Sequence, residues 1–448
     1  MSRDYDFVVI GASISGLSAA AYLARGGARV LVVEKAQALP EPPGALFALD
    51  PVMMTDLKLA QHGLSFMNPD LALTGWDPDD APLTLSRDRR SAQRAIAARS
   101  ETDAEAWSHF QQEVAVQANT LRRWWARPGR EGGPADLFWR PSARDQFARL
   151  SVTGAADWLA RHFEDRQLIG TLLHDALAGG FAPSEPGSAL ALVWRAAQEM
   201  NGLKAACALA VPGTLVVALR RASGATVETG RAVTQVMVSR GHAAGVQLED
   251  GETISARAVL SSLSGNASER LAGLDRPLEE NTVGTARIVF TLGEGAVLPP
   301  ALKNGRCVLA LGAADLADGH ENARAGRLPV LAPFEVVAET PRRLALTLPL
   351  MPVTPDGGWP ALQAPLAATL VKSLSRQVSG LGNGLTGMTL TPPSARPRAT
   401  LARLLAPAHA RAVTRVPGLY LCGADAEPVP SVSGRAGRFA AYFAQASR

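Results

Sequence analysis

Hydrophobic positions follow three different patterns along the 448 residues, and the first pattern carries the most information. An unbroken apolar run at 7–10 is followed by a turn of small residues and by an Ala-rich stretch over 17–24. A second apolar run, residues 30–33, ends on Glu34. Unbroken apolar runs of this length are typical of strands buried on both faces of a parallel sheet. The pattern therefore predicts a strand, a turn, a helix and a second strand at the start of an α/β fold.

The middle of the chain has a helical pattern, and the later part returns to short strands. Apolar residues recur every three or four positions over much of 87–200, which predicts helices at 91–125, 155–162, 168–178 and 189–200. A loop rich in Arg, Gly and Pro is expected between them, at 127–144. Short alternating runs predict strands at 226–228, 233–238, 244–248, 253–256, 258–261, 287–292, 307–311, 344–348 and 418–422. Helices are expected at 214–221, 365–378 and 437–446.

The first turn has the glycine spacing of a dinucleotide-binding site. Gly11 permits a sharp turn and Gly16 permits close packing of helix on strand, while the helix N-terminus directs N–H groups at phosphates. Glu34 lies 23 positions after Gly11, where a carboxylate accepts a ribose hydroxyl. Ser13 replaces the expected middle glycine, but its side chain is small and its hydroxyl can donate to a phosphate. The predicted contacts are Gly11, Ala12, Ser13, Ile14, Ser15, Gly16 and Glu34. The structural alternative is a parallel sheet whose first turn binds nothing.

Composition excludes several classes of protein. Hydrophobic residues make up 47% of the chain and charged residues 19%, which is typical of a globular protein with sizeable cores. The net charge is only +4 and basic runs are absent, so we expect no nucleic-acid partner. Three separated cysteines and seven scattered histidines have no metal-ligand spacing. We expect a cytoplasmic protein, because the sequence has neither a signal-peptide pattern nor an apolar run long enough to span a membrane.

Several motifs together resemble a known family. They lie at 8–23 with Glu34, at 53–64, at 199–202, at 233–248 followed by the Asp-Gly turn at 250–251, and at 417–423 with 432–434. This combination is similar to the FAD-dependent oxidoreductases that include phytoene-desaturase-like proteins and pyridine-nucleotide-disulfide oxidoreductase domain proteins. The resemblance implies FAD as cofactor and a hydride transfer from an apolar or amphipathic small molecule to the flavin.

The resemblance also implies a domain plan. A Rossmann-like FAD-binding domain of the glutathione-reductase type would be discontinuous, comprising 1–86, 203–266 and 408–448. An α+β substrate domain would comprise 87–202 and 267–407. Further cofactor contacts are then expected at Val233, Gly423, Asp425 and Val432.

Besides Ser13, the sequence departs from the family pattern at two other places, and these departures leave two interpretations open. The loop at 38–44 has one glycine where the family has a Gly-Gly pair, and 425–431 replaces a Gly-rich loop beside the flavin. The first interpretation is an active flavoenzyme; the second is a homologue without flavin or redox activity that serves as a binding or assembly subunit with a protein partner. Glu34 favours the first, because a carboxylate at this spacing has no evident structural use.

Weaker signals concern the substrate and the location of the protein. Trp107, Trp124 and Trp125 are candidates for an apolar substrate tunnel, although their helical spacing is more typical of core residues. Arginines at 122, 123, 127 and 130 form a candidate contact with anionic lipid headgroups, against the alternative of a solvated helix end. Arg435 and Arg438 are candidates for binding a phosphate or a substrate carboxylate. These signals predict an apolar substrate and peripheral membrane contact.

Overall fold

The computed structural model describes residues 3–39, 45–46, 49–68, 71–77, 79–127, 132–199, 208–275, 279–396 and 400–446. The α-helices are α1 (Ile14–Arg25), α2 (Pro51–Asp56), α3 (Arg89–Ala97), α4 (Glu101–Trp125), α5 (Pro141–Val152), α6 (Ala155–Ala160), α7 (Arg166–Ala176), α8 (Ser188–Glu199), α9 (Thr214–Ser223), α10 (Gly265–Leu271), α11 (Pro300–Asn304), α12 (Ala313–Arg324), α13 (Trp359–Leu374), α14 (Leu381–Gly384), α15 (Leu401–Leu405), α16 (Ala408–Ala412) and α17 (Arg435–Ala446).

The strands form four sheets. They are β1 (Arg3–Asp4), β2 (Phe7–Ile10), β3 (Val30–Glu34), β4 (Ala45–Leu46), β5 (Phe66–Asn68), β6 (Ala72–Trp76), β7 (Leu83–Leu85), β8 (Ala208–Ala210), β9 (Thr226–Thr229), β10 (Val233–Ser239), β11 (His242–Leu248), β12 (Thr253–Ser255), β13 (Ala258–Ser261), β14 (Val283–Leu292), β15 (Gly305–Leu309), β16 (Glu335–Thr340), β17 (Arg343–Pro352), β18 (Leu385–Thr391) and β19 (Leu419–Leu421).

Five strands form a parallel sheet in the order β19-β13-β2-β3-β9. Both faces of this sheet are covered, which explains why β2 and β3 are apolar at almost every position. One face packs on α1, α9 and α17, and the other packs on the small sheet β1-β12-β11-β10. The strands come from three distant parts of the sequence, so the N-terminal turn and the C-terminal loop meet at one sheet edge.

Helices α1 and α17 pack closely because both carry small residues. At Gly437 a Cβ atom would overlap the Ser15 carbonyl oxygen, so only glycine allows this approach of the two helices. Ser18 adds a hydrogen bond from its hydroxyl to the Gly434 carbonyl at 2.9 Å. This packing holds the last helix against the first turn of the chain.

The largest sheet has the order β18-β14-β17-β16-β15-β6-β7 and presents two different faces. Successive side chains of a strand point to opposite faces. On β17, Leu344, Leu346 and Leu348 therefore enter the larger core, in which α12 packs on this face of the sheet, while Thr347 lies on the opposite face and lines a cavity. Glu335 and Glu339 of β16 lie on that same polar face.

The predicted fold class, an α/β fold with a Rossmann-like unit, is confirmed. One loop was predicted wrongly: within 127–144, a 3-10 turn occupies Pro134–Leu137 and α5 begins at Pro141. Proline at the first helical position is compatible with a helix start, because that N–H has no intrahelical partner there. The pattern also missed α12 and β16, whose faces toward solvent or the cavity are rich in charged residues.

The domain division stays a prediction, although one observation bears on its first boundary. Strands β6 and β7 lie within 1–86 but belong to the seven-stranded sheet, where β6 pairs with β15 and β7 pairs with β6, and not to the parallel sheet. A boundary near residue 70 therefore describes the sheet pairing better than one at 86. Among the described helices, none combines the length and apolarity that a bilayer-crossing segment needs.

Candidate functional site

Three segments meet where the parallel strands β2, β13 and β19 end. Gly11 follows β2 with a φ of +86°, a backbone conformation that favours glycine. Ser262 follows β13; its N–H donates to the Ile10 carbonyl at 2.9 Å and its hydroxyl donates to the Gly11 carbonyl at 3.2 Å. A Cβ at Gly11 would overlap the Ser262 hydroxyl, and a Cβ at Gly423 would overlap the Ser262 carbonyl. Ser262 thus joins the two predicted glycine turns, a role that the sequence analysis missed.

The residues after Gly11 start helix α1. Ser13 is its N-cap, and the Ser13 Oγ accepts the Gly16 N–H at 3.1 Å. A Cβ at Gly16 would overlap the Gly11 carbonyl, so this glycine allows the close packing predicted for it. The capping bond uses an acceptor site of Ser13 and leaves its hydroxyl proton to donate. Ile14 and Ser15 supply backbone N–H groups of the first helical turn, which have no intrahelical partner.

Glu34 ends strand β3 beside this turn and has a structural role that the sequence analysis did not foresee. Its Oε2 accepts the Ala12 N–H at 2.7 Å, and its Oε1 accepts the Ala36 N–H at 2.9 Å. The statement that this carboxylate has no evident structural use was therefore wrong. A carboxylate offers about four acceptor sites, so two remain for a ligand hydroxyl.

Val233 begins β10, close to the end of β3. Two residues earlier, the Arg231 N–H donates to the Glu34 carbonyl at 3.0 Å. The side chain of Val233 packs on the core between the parallel sheet and the small sheet. Any contact of this segment with a cofactor would therefore come from its backbone.

The loop after β19 buries two carboxylates. Asp425 is 2% exposed; its Oδ2 accepts the Gly265 N–H at 2.9 Å and its Oδ1 accepts from Arg396 at 3.0 Å. Glu427 is 1% exposed and accepts from the Ser433 hydroxyl and, at 2.9 Å, from the Ala436 N–H. These bonds fix the course of the loop, so the polar residues that replace the family's glycines are used to hold it.

The first turn fits the ribose and pyrophosphate of a dinucleotide. The Ser13 hydroxyl proton and the first N–H groups of α1 are donors suited to phosphate oxygens. The two remaining acceptor sites of Glu34 are suited to ribose hydroxyls. Most of the loop at 38–44, where the sequence departs from the family pattern, lies outside the described residues.

A cavity of about 490 Å³ lies between the polar face of the large sheet, helices α7 and α8, and the loop after β19. Asp425 and Val432 of the predicted site line it, together with Ala424, the residue after Gly423. Gly11, Ser13, Gly16 and Glu34 are not among its lining residues. The predicted residues therefore fall into two groups, one at the turn and one at the cavity.

A closed network of four charged side chains forms one wall. Arg306 is 1% exposed and pairs through both terminal nitrogens with Asp175, at 2.8 and 2.6 Å, and with Glu335 at 2.7 Å. Arg195 also pairs with Glu335, at 3.0 Å. Burial opposes ionisation of Asp175, but the charges of Arg306 and Arg195 outweigh it and lower the Asp175 pKa to about 2. The network is charge-balanced and was not predicted, although an arginine inside the apolar strand β15 is a signal for it.

The neighbouring His174 is buried and lines the same cavity. Burial lowers its pKa from the ordinary value of 6.5 to about 4, and the charges of Arg306 and Arg195 act in the same direction. Glu335 and Asp175 oppose this shift without cancelling it. His174 is therefore neutral at pH 7.

The tryptophans proposed for a substrate tunnel are core residues instead. Trp124 and Trp125 are each 1% exposed and donate through Nε1 to the carbonyls of Leu405 and Leu404 at 2.9 Å. Trp107 packs in an aromatic cluster with Phe110. Their helical spacing places them on the face of α4 that packs in the core. Trp194 of α8, in contrast, lines the cavity.

The arginines near the last helix also have protein partners. Arg438 donates to Asp50 at 2.8 Å, and Arg435 is buried and donates to Gln198 at 3.0 Å. Arg435 thereby links α17 to α8, across the two large cores. Neither side chain lines the cavity.

Comparison with known proteins shows which domain family and which fold this chain resembles. Residues 9–39 match the NAD(P)-binding Rossmann-like domain family. Across the whole fold, the chain is similar to a triple mutant of putrescine oxidase, with a TM-score of 0.63, 16% identity, and coverage of 100% of this chain and 99% of that one. At that identity the likeness shows the fold alone: an α/β fold with a Rossmann-like unit.

Two curated proteins are more similar in sequence. The chain is 29% identical over 318 residues to the Pyridine nucleotide-disulfide oxidoreductase domain-containing protein 2 of Mus musculus, covering 59% of this chain and 54% of the mouse protein. It is 28% identical over 291 residues to the Hydroxyneurosporene desaturase of Cereibacter sphaeroides, covering 59% and 57%. The chain thus spans little more than half the length of the curated relatives it matches. The predicted resemblance to these proteins is confirmed.

Proposed function

We propose that the protein is an FAD-dependent oxidoreductase that transfers hydride from an amphipathic small molecule to the flavin. The observation that carries this proposal is the junction at Ser262, which brings the dinucleotide turn at Gly11 to the loop after Gly423. That loop continues into the wall of the cavity. A dinucleotide held at the turn would therefore extend toward the cavity. The desaturase and oxidoreductase relatives support the same reaction class.

The residues of the turn would hold the adenosine diphosphate half of FAD. The helix N-terminus favours a phosphate because its free N–H groups and its dipole both point toward negative charge. Ser13 adds a hydroxyl donor, and Glu34 accepts from ribose hydroxyls while it keeps its bond to the Ala12 N–H. Gly423, Asp425 and Val432 would border the other half of the cofactor.

The chemistry itself would belong to the cofactor: FAD held by these residues would supply a hydride acceptor. The protein contributes the cavity, which orients the substrate and keeps bulk water from it. Apolar side chains such as Leu177, Trp194 and Val283 offer packing for a hydrocarbon part. Charged side chains on the floor and at the Asp425 end offer polar contacts. We therefore propose an amphipathic substrate, the more polar of the two classes expected from the sequence.

An absorbance spectrum of the purified protein tests the cofactor. We expect the two bands of oxidised flavin, at about 375 and about 450 nm, and their loss in Glu34→Ala after extensive dialysis. Because Glu34 also holds the turn, folding is checked by circular dichroism and a Glu34→Gln variant is compared. Glu249→Gln, an exposed glutamate that accepts one backbone N–H, is the matched control.

A colourless protein that takes up no added FAD would refute the oxidoreductase proposal. It would favour the second interpretation, a flavin-free binding or assembly subunit with a protein partner. A cytoplasmic location and contact with the membrane surface remain proposals as well. Co-sedimentation with anionic liposomes at low salt tests the second of them, with neutral liposomes as the control.

A further inference from the structure

Among the described residues, the carboxylates that line the cavity are all paired with arginines, whereas the arginines are not all paired with carboxylates. Each of the four lining carboxylates has an arginine partner: Asp175 and Glu335 within the closed network, Glu339 with Arg287 at 2.6 Å, and Asp425 with Arg396 at 3.0 Å. A cationic ligand would therefore meet carboxylates whose charge an arginine already balances. The cavity is thus poorly suited to a protonated amine.

Arg403 differs from the other arginines that line the cavity. Its guanidinium donates to the Asp425 backbone carbonyl, and within the described part of the chain it forms no pair with a carboxylate. Burial is the largest cause of a lowered Arg403 pKa; the nearby Asp425 carboxylate opposes it, and the charge of Arg396, which already pairs with that carboxylate, lowers the pKa further. Two guanidinium groups therefore share one carboxylate at this end of the cavity.

We propose that Arg396 and Arg403 form a subsite for the carboxylate of the substrate, so that the cavity binds an amphipathic carboxylic acid. An arginine fork matches a carboxylate in geometry and forms charge-assisted hydrogen bonds with it. The hydrocarbon part would extend along the cavity toward Val283 and Trp194. A volume of about 490 Å³ is within the range of small-molecule sites. That the bound carboxylic acid is the substrate rests on the proposed function, but its binding can be measured without turnover.

Three probes with the same alkyl chain test the subsite: hexanoate, hexanol and hexylamine, titrated into the purified protein by calorimetry. Loss of one charge-assisted bond costs about 1.5–3 kcal/mol, roughly a tenfold or larger change in Kd. We expect hexanoate to bind at least tenfold more tightly than hexanol and hexylamine. We expect Arg403→Gln to reduce hexanoate binding to the level of hexanol.

Two further variants protect the test against a folding defect. Arg396→Gln removes the second guanidinium, whose side chain is 34% exposed, and should also weaken hexanoate binding. Arg324→Gln, on the surface of α12 and outside the cavity, is the matched control and should bind like the parent. Near-ultraviolet circular dichroism confirms that each variant is folded.

Several results would overturn the subsite. The first is equal binding of the three probes, and the second is retention of the hexanoate preference in both folded cavity variants. The third is displacement of hexanoate by inorganic phosphate that binds with the same affinity as hexanoate, which would indicate a general anion site. Flavin content separates this inference from the proposed function. A colourless protein with the hexanoate preference supports the subsite and refutes the oxidoreductase. A flavin-loaded protein without that preference does the reverse.

Discussion

Replacement of His174 by glutamine should remove a large part of the acid sensitivity of this protein. His174 is 7% exposed, and its Nδ1 has no hydrogen-bond partner among the described residues. Because burial lowers its folded-state pKa to about 4, the unfolded chain binds a proton at this histidine more readily than the folded chain. Stability is therefore fully present above pH 6.5 and is lost as the pH falls toward 4.

The magnitude follows from the shift in pKa. One pKa unit corresponds to about 1.4 kcal/mol, so the shift from 6.5 to about 4 makes the parent lose about 3 kcal/mol between pH 7 and pH 4 through this group alone. Other groups also titrate in that range, but they are common to parent and variant. The difference between the two stability curves isolates His174.

Urea unfolding followed by tryptophan fluorescence measures both curves at several pH values. His174→Gln should gain about 3 kcal/mol relative to the parent as the pH falls from 7 to 4. His109→Gln, at an exposed histidine on α4, is the control for the replacement of a histidine by glutamine. Parallel curves for parent and His174→Gln would refute the assignment of a buried neutral histidine.

Three further predictions concern the fold. Arg306→Met should lower the unfolding free energy by about 3–5 kcal/mol in urea, since it leaves Asp175 and Glu335 buried with only Arg195; an unchanged midpoint would contradict the network. Gly437→Ala should lower the melting temperature in scanning calorimetry, because its Cβ would overlap the Ser15 carbonyl; a melting temperature equal to that of the parent would show that α1 and α17 are not so close. Limited trypsin digestion should cut first near residue 127 and release no folded fragment of residues 1–200, because the proposed FAD domain is discontinuous; a stable fragment of that length would contradict the division.

The parallel sheet could be predicted because its strands are buried on both faces. Such strands carry an unbroken apolar run, and the turn at Gly11 marks where one of them ends. The same local signal cannot reveal Ser262, since a serine after an apolar strand is ordinary until the fold brings it to Gly11 and Gly423. The contacts of Asp425 with Gly265 and Arg396 also join separated parts of the sequence, 160 and 29 residues apart.

The cavity could not be predicted from hydrophobic periodicity for a related reason. Its floor includes the polar positions of β14, β16 and β17, and polar positions on a strand look like a solvent-facing surface. Tryptophans at helical spacing were the more visible candidates, but Trp124 and Trp125 use their indole N–H groups to fix the α15 segment. Only the pairing of the strands shows that the polar face is covered by α7 and α8.

The two faces of strand β17 have a practical consequence for altering ligand preference. Leu344, Leu346 and Leu348 face the core, whereas Ala345 and Thr347 face the cavity. A substitution library confined to the odd-numbered positions would therefore change the shape and polarity of the cavity floor while leaving the leucines of the core in place. An insertion of one residue would do the opposite: it would exchange the two faces, placing leucines in the cavity and Thr347 in the core.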